Sequence, residues 1–145
     1  MGNTVKTHIK LTDGKAKLSA TSEGRALPPV VVDFHPPTGT REGYDPMELV
    51  LFALESCSTT TVVSILRNRM GRTVTGMEAT ATGVTRDHHP KSFSHIDIFM
   101  TVTSPDAQDE AIAKALPAVE EKLCPVWDML RSNVEVNVTY SIHRE

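Results

Sequence analysis

Two cysteines, Cys57 and Cys124, are the side chains of this 145-residue sequence with the widest chemical repertoire. A thiolate is a nucleophile that can be oxidised or form a disulfide, whereas a buried thiol behaves as a small hydrophobic group. The two positions are 67 residues apart (124 − 57 = 67), and neither belongs to a C-x-x-C motif. This spacing excludes a thioredoxin-type motif and a zinc ribbon, and leaves a reactive pair and two inert thiols as alternatives.

Cys57 is followed by a run of four small hydroxyl residues, Ser58 to Thr61. On a helix, Thr60, Thr61 and Ser64 share the face of Cys57. Such residues have mediocre helix propensity, and a purely structural core would more naturally use Ala or Leu. The hydroxyls can bond to carbonyls one turn earlier, so the polar run gives only a mild indication of function.

Cys124 lies directly before Pro125, at a predicted junction between helical segments. Backbone N–H groups are unpaired at a helix start, and an anion there is stabilised by roughly 0.3–1 kcal/mol. The position therefore predicts a thiol with a lowered pKa or one that resolves an oxidised partner.

Composition excludes several functional classes. Fifteen Lys and Arg residues against 18 Asp and Glu residues give a net charge of −3, which is not typical of a nucleic-acid binder.

Glu48 and Glu55 interrupt the apolar stretch 47–66, so we expect no membrane span. Residues 1–10 are polar and lack a secretory apolar segment, which favours the cytoplasm. The histidines are scattered, and we expect neither a metal site nor a cofactor.

The first half of the chain predicts a hairpin, a strand and a long helix. Asp13-Gly14 separates two short strands at 5–11 and 16–20, and a third strand covers 28–34. After a Pro- and Gly-rich loop at 35–45, Asp45 and Glu48 have the spacing of a capping box. The helix is expected to run from Pro46 to about Met70 and to end at Gly71.

The second half predicts two strands, a helical region and a last strand. The strands cover 73–85, 93–103 and 134–142, and the helices cover 105–123 and 125–130. Pro117 should kink or split the longer helix. Strands and helices are grouped instead of alternating, which indicates an α+β fold with a mainly antiparallel sheet, in a single domain over residues 1–145.

The stretch from Asp45 to Cys57 (DPMELVLFALESC), together with the late Cys124-Pro125-Val126, resembles the OsmC/Ohr family. The order of elements is similar over nearly the whole chain. The resemblance implies an intertwined homodimer whose sheets wrap around long central helices. It also implies thiol-dependent reduction of organic hydroperoxides, with Cys57 as the peroxidatic and Cys124 as the resolving thiol, and a dithiol as reductant.

The chain departs from the best-known peroxidases of that family at two points. They carry a Glu directly after the Pro of the helix start and an Arg in the early hairpin, whereas this chain has Met47 and no hairpin Arg. Arg41 is the first substitute for the activating Arg and Arg25 the second, with a solvated surface role as the alternative for both. Glu48 is one residue beyond the position at which those peroxidases carry their Glu, and it can cap the helix. These departures indicate a divergent branch.

Three apolar side chains, Phe52, Trp127 and Met129, are candidates for a pocket that accepts the hydroperoxide; core packing is the alternative for Trp127 and Met129. Two further functions stay open on the same fold: binding of a small apolar ligand without turnover, and redox sensing by a disulfide. The peroxidase and the redox-sensing functions both require a disulfide between Cys57 and Cys124. Each therefore predicts that the Cα atoms of the two residues lie within about 7 Å.

Overall fold

The computed structural model describes residues 2–145, which divide into two compact units, one ending at Val50 and the other beginning at Leu51. Strands and helices are grouped along the chain, as predicted for an α+β fold. In chain order the elements are β1 (Thr7–Leu11), β2 (Leu18–Ser22), β3 (Val30–Val32), α1 (Pro46–Ser64), β4 (Gly76–Thr85), β5 (Phe93–Thr103), α2 (Asp109–Ala118), α3 (Pro125–Leu130) and β6 (Glu135–His143), with single π-helical turns at Ile65–Arg69 and Val119–Leu123.

The first unit contains an antiparallel sheet of order β1-β2-β3. Asp13 closes the hairpin between β1 and β2, because its carboxylate accepts hydrogen bonds from the backbone N–H groups of Lys15 (2.9 Å) and Lys17 (3.1 Å). The predicted hairpin is confirmed, with both strands starting two residues later than expected.

The loop before α1 is organised around the buried side chain of Asp33. Its carboxylate accepts hydrogen bonds from the backbone of Phe34, from Thr40 and from the backbone of Glu42, at 2.8 to 3.3 Å. Burial raises the pKa of Asp33, but the bonds from Glu42, Thr40 and Phe34 outweigh it and hold the pKa below its ordinary value. These hydrogen bonds to Asp33 hold the Pro- and Gly-rich loop before α1 in one conformation.

Helix α1 begins as the sequence predicts. The carboxylate of Asp45 accepts from the N–H of Glu48 (2.9 Å), and the carboxylate of Glu48 accepts from the N–H of Asp45 (3.0 Å). This is the reciprocal pattern of a capping box. The helix continues through the π-helical turn Ile65–Arg69, closed by Met70 N–H donating to the Ile65 carbonyl at 3.1 Å. Gly71, at φ 64°, ends it in the left-handed region that glycine favours.

The helical stretch Pro46–Arg69 is long and apolar enough to cross a membrane by length and composition alone, with a hydropathy of 1.7 in its most apolar window. Core helices of soluble proteins pass the same test. Only 28% of that window is buried within this single chain. A large part of the apolar helix surface is therefore without cover from the described residues.

The second unit contains a sheet of order β4-β5-β6. Alternate residues of the central strand β5 are buried, namely Ile96, Ile98, Met100 and Val102, as the period of two predicts. β4 pairs with β5 antiparallel, whereas β6 pairs with β5 in parallel. Within residues 2–145 three of the four strand pairings are antiparallel, which confirms the mainly antiparallel prediction.

The helical region before β6 starts later than the predicted residue 105. The side chain of Ser104 accepts the backbone N–H groups of Asp106 (3.3 Å) and Ala107 (2.9 Å), which forms a turn, and α2 begins only at Asp109. After Pro117 the α-helix gives way to the π-helical turn Val119–Leu123. Pro117 itself lies inside α2, and the helical path continues without a gap into Val119–Leu123, so the kink or split predicted at Pro117 stays a prediction.

Candidate active site

Cys57 lies at the start of the fourth turn of α1 and is half-buried. The hydroxyl of Thr61 donates to the Cys57 carbonyl at 2.7 Å, and the hydroxyl of Thr60 donates to the Ser56 carbonyl. The Ser/Thr run is thus satisfied by the helix backbone, as the sequence allowed. The Cys57 side chain lies on the same face of α1 as Thr60, Thr61 and Ser64.

Cys124 is buried, with 2% of its surface exposed, and caps the N-terminus of α3. Its Sγ accepts the backbone N–H of Trp127 at 3.4 Å, and its own N–H donates to the Val119 carbonyl at 3.0 Å. Pro125 occupies the first helical position and fixes the chain direction there. The predicted helix junction is confirmed.

The structure brings the two thiols together, and both are free cysteines. Burial and the neighbouring Cys57 thiol raise the pKa of Cys124 from an ordinary value of 9.0 to about 11, against the smaller lowering effect of the Trp127 N–H. The expectation of a lowered pKa is therefore wrong: desolvation outweighs the helix N-terminus. Cys124 keeps its proton at neutral pH, and Cys57 is the thiol that solvent reaches.

Arg41 and Glu48 lie in the first unit and line a cleft of about 610 Å³ together with Val31, Glu42 and Tyr44. The backbone of Arg41 has a positive φ of 56°, which is uncommon for a residue with a side chain and is held by its N–H donating to the Phe34 carbonyl at 2.9 Å. Its activating role stays a prediction, as does that of Arg25, an exposed residue of the loop between β2 and β3.

The three candidate pocket residues occupy different environments. Phe52 is 42% exposed and lines a cleft of about 280 Å³ on α1. Trp127 is 3% exposed and packs beside Cys124, whereas Met129 is 70% exposed. Trp127 and Met129 are two residues apart on α3 and point to different sides, so they do not line one wall.

Glu55 is a site residue that the sequence left without a role. It lines the cleft with Phe52, Ser56 and Met77, and its Oε2 atom is buried without a hydrogen-bond partner among residues 2–145. Burial raises the pKa of this carboxyl. The available signal was an acid in the middle of an apolar helical stretch, away from the cap that Glu48 provides. Within the same residues no group of three or more His, Cys, Asp and Glu side chains could hold a metal ion.

Comparison with known proteins shows which protein family this chain is similar to. The model of the family described as OsmC-like protein matches residues 39–139, which include all of α1 and both cysteines. Protein YhfA of Escherichia coli strain K12 is 39% identical over 98 residues, which cover 67% of this chain and 72% of YhfA.

Solved structures share the fold. An OsmC-like protein from Mycoplasma pneumoniae superposes with a TM-score of 0.81 at 19% identity, covering 99% of each chain. The organic hydroperoxide resistance protein OhrB of Bacillus subtilis gives a TM-score of 0.64 at 17% identity, covering 96% of this chain and 98% of OhrB. With the match over residues 39–139, these comparisons confirm the resemblance seen in the sequence: the chain belongs to the OsmC-like protein family.

Proposed function

We propose that this protein is a thiol-dependent peroxidase that reduces organic hydroperoxides, with Cys57 as the peroxidatic thiol and Cys124 as the resolving thiol. The observation that carries the proposal is the contact between a half-exposed thiol and a buried one. A hydroperoxide reaches the first, and the second is protected from direct oxidation but adjacent to the product. The organic hydroperoxide resistance protein OhrB, which has a similar fold, lends support.

The chemistry balances within one cycle. The Cys57 thiolate attacks the outer oxygen of the hydroperoxide, the O–O bond breaks, and the alkoxide takes up a proton and leaves as an alcohol. Cys57 is then a sulfenic acid. The Cys124 sulfur attacks the Cys57 sulfur, the hydroxyl leaves with a proton as water, and a disulfide forms. A dithiol donor reduces that disulfide by exchange and is itself oxidised.

A homodimer is part of this proposal. The apolar stretch Pro46–Arg69 is only 28% buried in its most apolar window, and an apolar surface of that kind normally packs against another element. A second copy of the chain laid against α1 would cover it, which is also what the family resemblance implies. On this view the helix is the core of a cytoplasmic dimer and does not enter a membrane.

The test is peroxide consumption by the purified protein with dithiothreitol as the dithiol, using cumene hydroperoxide and hydrogen peroxide. We expect turnover that prefers cumene hydroperoxide, that is lost in Cys57→Ser, and that is at least tenfold lower in Cys124→Ser at saturating substrate, since the resolving step is missing. Equal and negligible rates in the wild type and Cys57→Ser would overturn the proposal.

Two non-catalytic functions on the same fold predict other outcomes of that assay. Redox sensing predicts stoichiometric oxidation of Cys57 and Cys124 with no continuing loss of peroxide. Binding of a small apolar ligand predicts no peroxide loss and an occupant for the cleft beside Phe52, whose lining combines an aromatic ring with one polar acid.

A further inference from the structure

Glu55 lies beside the part of α1 that the second protomer of the proposed homodimer would cover. The exposed stripe of the helix consists of Phe52, Ala53, Ser56, Thr60 and Ser64. Phe52 and Ser56 from this stripe line the cleft of about 280 Å³ that also contains the Glu55 side chain. A second copy of the chain laid against α1 would therefore close this cleft over the Glu55 carboxyl.

Within a single chain the Glu55 carboxyl is already partly withdrawn from water. Its Oε2 atom is buried without a hydrogen-bond partner among residues 2–145. Apolar side chains form much of the cleft wall, since Phe52 comes from α1 and Met77 and Ala79 come from β4. An ionised carboxylate is costly in such surroundings unless a hydrogen-bond donor or a cation compensates it. The carboxyl therefore needs either that compensation or a bound proton.

The two hydroxyl groups that line the cleft give their protons to the helix backbone. The Ser56 hydroxyl donates to the Ala53 carbonyl at 3.2 Å, and the Thr59 hydroxyl donates to the Glu55 carbonyl at 2.6 Å. Neither proton is left for the carboxylate, but each hydroxyl oxygen keeps lone pairs that can accept a hydrogen bond. Among the described residues that line it, the cleft thus offers acceptors to a protonated Glu55 and no side-chain donor to an ionised one.

No cation lines the Glu55 cleft within the described part of the chain, because the lining contains no Lys, Arg or His side chain. On β4, Glu78 lies between the two residues that line the cleft, and its side chain is on the opposite, exposed face of the strand. On α1, Glu48 lies two turns earlier, about 10 Å away, and its carboxylate belongs to the capping box. Cys57 lies about 200° around the helix. Burial is accordingly the cause that raises the pKa of the Glu55 carboxyl.

We propose that formation of the homodimer is linked to proton uptake at Glu55: the second protomer closes the cleft, and the carboxyl is buried as the neutral acid. The inference rests on the homodimer of the proposed function and adds a control on its assembly. A two-fold dimer brings the same surface of both chains together, so the exposed stripe of α1, which carries no charged side chain, would meet the same stripe of the second copy. Each protomer then contributes one carboxyl, and association binds two protons.

Association of the two protomers should strengthen as pH falls. The dimer holds the Glu55 proton up to a higher pH than the separate protomer does, because the closed cleft excludes more water. Above the pKa of this carboxyl in the dimer both forms are ionised, and below its pKa in the protomer both are protonated. The dissociation constant therefore changes between these two pKa values, and within that window it rises with pH, because dissociation releases protons.

Sedimentation velocity of the full chain at several concentrations measures the dissociation constant at pH 5 and at pH 8, with a phosphine reductant present to keep both cysteines as thiols. We expect the wild-type constant to be larger at pH 8 by at least about tenfold, which corresponds to about half a pKa unit at each of two carboxyls. Glu55→Gln imitates the neutral acid, so its constant should match wild type at pH 5 and change by less than about threefold. Glu121→Gln, the matched control at an exposed acid outside α1, should retain the wild-type pH dependence.

A dimer too tight to dissociate at either pH is tested by an NMR titration of protein labelled with ¹³C at the glutamate carboxyl carbon. The Glu55 signal is the one missing from Glu55→Gln, and we expect its midpoint at least about one pH unit above that of Glu121.

Three results would overturn the inference: a dissociation constant that falls as pH rises, equal pH dependence in wild type and Glu55→Gln, or a Glu55 midpoint no higher than that of Glu121. Each of them would leave the homodimer standing. A protein that is monomeric at both pH values would refute the homodimer and the inference with it. The assay with cumene hydroperoxide decides the peroxidase proposal separately, because it measures turnover and not association.

Discussion

Cys124 is 2% exposed, whereas Cys57, the thiol with which it interacts, is half-buried and reached by solvent. The difference arises from their elements. Cys57 stands on the side of a helix, and Cys124 is enclosed between a π-helical turn and the first turn of α3. An oxidant therefore meets the two sulfurs in a fixed order, and this order leads to the first prediction.

Oxidation of Cys124→Ser by one equivalent of cumene hydroperoxide should stop at the sulfenic acid of Cys57, because no thiol is adjacent to condense with it. Dimedone should trap this species in good yield, as detected by mass spectrometry of the Cys57 peptide. Wild-type protein under the same conditions should give an intramolecular disulfide and little adduct. A Cys124→Ser protein that gives no dimedone adduct after consuming the peroxide would speak against Cys57 as the oxidised thiol.

The stability that Cys124 contributes should decline at alkaline pH. The folded protein holds this pKa at about 11, above the ordinary 9.0, so the folded state keeps a proton that the unfolded state loses. The contribution is fully present below pH 9 and is lost as pH rises towards 11. The advantage of wild type over Cys124→Ala in unfolding free energy should shrink by on the order of 2 kcal/mol across that window. Urea titrations of both proteins across this pH range, with a phosphine reductant present, measure the difference in unfolding free energy. Parallel curves of unfolding free energy against pH for wild type and Cys124→Ala would contradict the prediction.

The start of α1 depends on the Asp45 cap. Asp45→Ala removes the acceptor for the Glu48 N–H and should destabilise the fold by about 1 kcal/mol. Asp45→Asn is the matched control, since Asn caps as well as Asp and should stay within a few tenths of a kcal/mol of wild type. Midpoints of urea unfolding compare the variants. If Asn were as damaging as Ala, the carboxylate charge and not the hydrogen bond would be what α1 requires.

Gly83 on β4 lies beneath the ring of Phe93. A Cβ atom at this position would meet the ring atoms of Phe93, including Cζ at 2.9 Å, and Phe93 is buried. Gly83→Ala should therefore cost about 1–3 kcal/mol of unfolding free energy through overpacking. Gly14→Ala, in the hairpin turn with open space around the site, should cost much less. Thermal unfolding of both variants tests the comparison, and equal shifts would show that the Phe93 ring moves aside freely.

The sequence predicted the parts of the fold that depend on local rules. Asp45 and Glu48 make the helix start because a capping box needs only residues three apart, and Gly71 ends the helix because it tolerates a positive φ. Cys57 and Cys124 were identified by type and by family resemblance. The late start of α2 was missed because Ser104 captures the N–H groups that an earlier helix would have used.

The protonation of Cys124 could not be predicted in this way. The helix N-terminus argued for a lowered pKa, and only the burial of the side chain, a property of the packed chain, reverses the sign. Non-local packing decided the protonation state of Cys124.

Trp127 is the single tryptophan of the chain, and its backbone N–H bonds directly to the Cys124 sulfur. The molecule therefore carries its own optical probe of redox state. Because Trp127 is buried and its backbone N–H bonds to one of the two sulfurs, converting the two thiols into a disulfide should change the emission of this tryptophan. Each half of a catalytic cycle, oxidation and recovery, could be followed in real time by stopped-flow emission from the native protein without a label.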